Sequence, residues 1–186
     1  MNNGIKKNSD DIEFINKRID EVVSVIKTKY EEKGSPKWVY DNEEKISNIL
    51  KSKHLKRGDS FYYMTDILKL FGFNYKGFQK CYKYVGNNFS VWSPYLSYDE
   101  EDNNIRWNNT ISKDLRIISE RDRDGNVKTQ KGFEENKNMK RLVFLNYRDP
   151  LGIRGRKFLG VYQVKDYNDI THTERWELVS EEFDLW

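Results

Sequence analysis

One cysteine, two histidines and three prolines are spread over 186 residues. The lone thiol, Cys81, can form no intramolecular disulfide, so nothing ties the chain to an oxidising compartment. It sits between Lys80 and Tyr82-Lys83, and is either a candidate nucleophile beside two lysines or an ordinary half-buried strand cysteine. Two histidines, His54 and His172, without a cysteine pair are too few for a zinc site. His172-Thr173-Glu174 would turn one imidazole and one carboxylate to the same side of a strand, which holds a metal only weakly. No metal and no cofactor are expected.

Long apolar runs are also missing. No window approaches the roughly 18 residues of a membrane-spanning helix, and Met1-Asn2-Asn3-Gly4-Ile5-Lys6-Lys7 lacks the apolar stretch of a signal peptide. The expectation is a cytoplasmic protein. There is no Gly-x-Ser-x-Gly elbow, no P-loop and no dinucleotide fingerprint. An enzyme would have to build its site from scattered carboxylates such as Asp99, Glu100 and Glu120, so whether the chain is an enzyme stays open, with the balance against it.

Apolar residues make up 37% of the chain and charged residues 34%, a balance typical of disordered chains. The 15% aromatic content opposes that, because rings bury large areas. Of 27 aromatic residues, only Phe14 and Tyr30 precede Trp38. The chain therefore reads as an N-terminal helical segment, 1–55, followed by an aromatic β-rich body, 56–186.

Ile12, Ile15, Ile19, Val22, Val23, Ile26 and Tyr30 recur at helical spacing and predict a helix over 11–32. Ile46, Ile49 and Leu50 predict a second over 42–53. Ser60–Met64 reads as a strand, followed by a short helix to Phe71. Strands are expected at Phe78–Val85, Phe89–Trp92, Trp107–Thr110, Leu115–Ser119, Leu142–Tyr147, Arg156–Val164 and Arg175–Val179, with 128–138 a polar loop. Few helices separate these strands, so a parallel sheet is excluded. The fold class is α+β: a small, strongly twisted antiparallel β-barrel with the N-terminal helices packed against it.

Residues 121–165 carry 12 basic and 5 acidic side chains, whereas 166–186 carry 1 basic and 7 acidic. That is either an anion-binding face beside its own counter-charge or a mixed solvated surface. Within the basic segment, Arg148, Arg154, Arg156 and Lys157 flank glycines that let a phosphate approach the backbone. Trp92, Tyr95, Trp107 and Asn108 offer stacking faces and an amide, which is what a planar base requires. The alternative for Trp92 and Trp107 is ordinary core.

The order of segments Lys76–Tyr84, Val91–Pro94, Trp107–Ser112, Arg141–Phe144, Lys157–Val164 and Trp176–Ser180 resembles PUA-like domains of the EVE, ASCH and SRA kind found in bacterial restriction-associated proteins. The resemblance covers residues 58–182. It implies a small barrel that takes a modified or RNA base into an aromatic pocket, with basic loops on the backbone. Such domains often sit beside a nuclease domain, which these residues do not contain.

The leading expectation is a non-enzymatic module that binds DNA or RNA. Trp92, Tyr95, Trp107 and Asn108 would form its base pocket, and Arg148, Arg154, Arg156 and Lys157 would hold phosphate. The rival is a small phage or bacterial protein that inhibits a defence nuclease. It would bind a protein partner through the N-terminal helix or the acidic tail, as a nucleic-acid mimic.

Overall fold

A computed structural model describes residues 17, 37–98, 107–122, 124, 128–148 and 154–186. The helix expected over 11–32 lies outside these residues save for Lys17, as do the acidic loop 99–104 and the turn 149–153. The chain divides into two compact units, Met1–Lys45 and Ile46–Trp186. Helix α1, Lys37–Ser52, runs across that division.

The second unit is mostly β-sheet. Its elements are β1 (His54–Lys56), β2 (Ser60–Phe61), α2 (Met64–Lys69), β3 (Tyr82–Gly86), β4 (Phe89–Trp92), β5 (Trp107–Ile111), β6 (Ile117–Asp122), α3 (Gln130–Asn136), β7 (Lys140–Arg148), β8 (Arg154–Asn168), β9 (Thr173–Ser180) and β10 (Glu182–Asp184). The main sheet runs β3-β4-β7-β8-β9-β6-β5, with β2 added to β8; β1 and β10 form a separate ladder. Among the described strands every ladder is antiparallel except β4 with β7, and an isolated parallel bridge joins Ser97 to Thr110. Among the described residues no ladder joins β3 to β5, so the expected closure into a barrel is not found there.

Alternation along the central strands splits the interior in two. Leu142, Phe144 and Phe158 turn to one face and pack with Phe61, Ile67 and Leu68. Val143 and Leu159 turn to the other, with Trp92, Tyr162 and Trp176. The sheet is thus buried on both sides, as the apolar runs of β7 and β8 require. Register shifts at Val143/Phe144, Val161/Tyr162 and Val164/Asp166 bend the fifteen-residue β8 and its partners. Gly160 lies at one of these irregularities with φ +144°. A Cβ there would stand 2.5 Å from the Ser180 carbonyl oxygen and 2.6 Å from Leu178 Cδ1.

Several expectations shift. The strand foreseen over Ser60–Met64 ends at Phe61, and Met64 already opens α2. The strand foreseen from Phe78 begins only at Tyr82, and Phe78–Cys81 is irregular and leaves Cys81 exposed. The strand foreseen from Leu115 begins at Ile117, because Leu115 adopts φ +59° in a turn. The loop foreseen over 128–138 contains α3, whose first turn is held by the Thr129 hydroxyl accepting from Gly132 N at 3.1 Å.

Candidate base-binding cleft

A cleft of about 890 Å³ opens on the side of the sheet that carries Trp92. Five consecutive residues, Phe78–Tyr82, line one part of it; Ser93, Pro94 and Tyr95, just past the end of β4, line another. Trp107 and Asn109 reach it from β5, and Glu120, Lys128, Arg141, Asn146 and Arg156 complete it. The Asn146 amide fixes the Ser93–Pro94 corner by donating to both carbonyls, at 2.7 and 3.1 Å.

Beneath this cleft lies a buried ionic network. Arg141 Nη1 donates to Glu120 Oε2 at 2.6 Å, and Lys128 Nζ stands 2.7 Å from the same oxygen. The Lys128 ammonium also pairs with Glu174. Two cations and two carboxylates therefore neutralise one another. Burial pushes the Glu120 carboxyl upwards, but Arg141 and Lys128 outweigh it and hold Glu120 below the usual carboxylate range. The Arg141 guanidinium carbon lies 3.7 Å from the Trp176 ring centre and 4.5 Å from that of Trp92. Trp92 is itself only 3% exposed.

Four buried polar atoms on cleft-lining residues have no hydrogen-bond partner: Ser93 Oγ, Asn109 Oδ1, Arg141 Nε and Arg156 Nε. Native interiors rarely tolerate such atoms, each costing about 1–3 kcal/mol when left dry. All four belong to residues that line the cleft: an amide oxygen, a hydroxyl and two guanidinium N–H groups.

Trp92, Tyr95 and Trp107 all come together here: Trp92 buried, Trp107 half-buried and Tyr95 73% exposed. Asn108 is not among the lining residues. Strand alternation puts it on the face opposite Trp107, and the amide at the cleft is Asn109. Arg141, Glu120 and Lys128 were not singled out as pocket residues from sequence; Lys128 in particular opens the polar stretch 128–138 that reads as loop. Of the basic residues, Arg156 lines the cleft, half-buried, with Nη1 donating to the Tyr62 carbonyl at 2.7 Å. Burial lowers its pKa. Arg148 and Arg154 are exposed and sit opposite each other in the β7–β8 register. Lys157 is exposed, its ammonium 5.1 Å from the Tyr147 ring centre.

Among the described residues no group of three His, Cys, Asp or Glu side chains stands ready to hold a metal. His172 instead lies 3.2 Å from the Tyr167 hydroxyl, and Glu174 is taken up by Lys128. No helix among the described residues is long and apolar enough to cross a membrane.

Known proteins share this architecture. The structure of "The 5-Hydroxymethylcytosine-Specific Restriction Enzyme AbaSI" superposes with a TM-score of 0.67 at 22% identity, covering 92% of this chain and 55% of that one. The likeness is one of fold, and the chain spans little more than half the length of that enzyme. No curated protein sequence matches. The family model "SET and RING associated domain" matches residues 48–185, a segment that takes in the whole sheet and every residue lining the cleft. The chain belongs to the SRA family, one of the PUA-like kinds its segment order resembles.

Proposed function

We propose that this chain reads a modified cytosine in DNA by taking the base out of the duplex into the cleft. The observation that carries the reading is the set of four unpartnered buried polar atoms in an aromatic-lined cleft. Cytosine presents an amino donor and carbonyl-type acceptors on its edge. Asn109 Oδ1 suits the amino group, Arg141 Nε an acceptor, and Ser93 Oγ a polar substituent. Trp107 and Tyr95 supply stacking faces; Trp92, covered by Arg141, supplies an edge.

Arg148 and Arg154 face each other across a ladder, where like charges repel. An anion between them relieves that repulsion, so these two, with Arg156 and Lys157, are assigned to DNA phosphates. The structural neighbour is named for 5-hydroxymethylcytosine, which makes the hydroxymethyl group the first substituent to try. Family membership and the shared fold support DNA as the partner; neither favours the protein-inhibitor reading.

The test is fluorescence anisotropy on duplexes that differ at one position: cytosine, 5-methylcytosine or 5-hydroxymethylcytosine. Binding should favour a modified duplex and weaken steeply with salt. Equal affinity for all three duplexes, or affinity indifferent to salt, sinks the reading.

A further inference from the structure

The charges that line the cleft do not cancel. Arg141 and Lys128 are matched by Glu120 and Glu174. Lys80 and Arg156 are left over, one on the irregular segment before β3 and the other on β8. Among the described residues neither forms an ion pair with a carboxylate. Asp66 acts on Arg156 only at a distance, since its carboxylate accepts from Tyr63 N at 3.0 Å and lies 3.7 Å from Lys69. Arg156 also keeps its buried Nε without a partner. The surplus is two positive charges inside a cleft of about 890 Å³, within the roughly 300–1,000 Å³ that small-molecule sites occupy. A base edge is neutral and neutralises neither cation. A phosphate monoester carries about −1.5 to −2 at neutral pH and offers several acceptor oxygens.

We infer that the cleft is built for a whole 5-substituted deoxycytidine monophosphate unit, with Lys80 and Arg156 holding its phosphate. This rests on the cytosine reading above and adds the phosphate to it. The unit has two sources. A residue turned out of DNA brings one singly charged diester on each side of its sugar, whereas a free nucleotide concentrates the charge that matches the surplus on one monoester. The cleft therefore binds the free nucleotide without any duplex. Of the four residues assigned to phosphates above, Arg156 alone lines the cleft and serves this one; Arg148, Arg154 and Lys157 do not line it and serve others.

Isothermal titration of the full chain tests this with three ligands: 5-hydroxymethyl-dCMP, the corresponding nucleoside, and a duplex carrying one 5-hydroxymethylcytosine. The monophosphate should bind ~10-fold or more tightly than the nucleoside, the scale of one charge-assisted hydrogen bond. Lys80→Gln and Arg156→Gln should each shrink that ratio, and together abolish it. Lys80 is exposed, so its variant keeps the test decisive if loss of the Arg156 bond to Tyr62 unfolds the chain; thermal melting checks this. A duplex bound selectively while monophosphate and nucleoside bind alike, or not at all, overturns the inference and leaves the DNA reading standing. A monophosphate bound tightly while duplexes are not discriminated supports the inference and removes the DNA reading.

Discussion

Lys128 shows how much a single side chain under the cleft can carry. Its ammonium is buried between Glu120 and Glu174, so replacing it with an apolar group of similar length takes the cation away from the buried Glu174 and leaves Glu120 to Arg141 alone. Breaking a buried pair in this way costs about 3–5 kcal/mol. Lys128→Met should lower the urea midpoint by a corresponding amount, and a double change with Glu174→Gln should recover part of the loss. Gly160→Ala acts through geometry: the new methyl meets a backbone oxygen and a Leu178 methyl below contact distance, so a fall in Tm is expected by differential scanning. Tyr162 gives a readout by titration. Its hydroxyl donates to the Leu115 carbonyl at 2.6 Å, and burial pushes its pKa up to about 12. Because the folded value is raised, this contribution to stability is complete below the ordinary phenol value and is lost as pH rises towards 12. An absorbance titration should find one phenol ionising later than the exposed ones. At this scale the sequence revealed residue types better than positions. Trp92, Tyr95 and Trp107 stood out because large rings are rare, but Asn108 and Asn109 are neighbours of one type, and only the strand's phase decides which meets the cleft. Arg141 was hidden because a charged residue beginning an apolar strand reads as solvated.

Elements were legible where periodicity ran long enough. The strand at Phe89–Trp92 has the expected bounds, and β7, β8 and β9 differ from expectation only by extra residues at their ends. The parallel pairing of β4 with β7 was not legible, because nothing local to Phe89–Trp92 says which way its neighbour runs. Nor were β1 and β10: three residues each carry no period, and the ladder forms because Leu55 and Phe183 pair in register and are both buried. Across that ladder His54 Nδ1 lies 2.8 Å from Asp184 Oδ1, and the bond raises the histidine pKa. Its contribution is full below the ordinary histidine value and disappears as pH rises through the folded one. Asp184→Asn should flatten the dependence of Tm on pH between about 5 and 8, with most of the loss at the acid end. Helix α3 rests on one cap, and Thr129→Ala should cost about 0.5–2 kcal/mol in chemical denaturation.

The charge map makes sense only for the whole molecule. The acidic stretch after Lys165 is largely consumed by the protein's own cations: Asp166 by Arg175, Glu177 by Lys165, Glu181 by Arg57 and Glu174 by Lys128. What reads as an anionic tail is mostly internal counter-charge, which leaves little of it to imitate nucleic acid. The same pairing leaves Arg148, Arg154, Lys80 and Arg156 among the basic groups available to an outside anion.

The β1–β10 ladder has a further consequence. It brings the first and last strands of the second unit side by side, with His54 facing Asp184. A module wired in this way can be spliced into a loop of a host protein without stretching it, and its two ends can be joined by a short bridge and reopened elsewhere. The clasp suits the unit to travel as a cassette, carrying its cleft intact into whatever protein it is fused with.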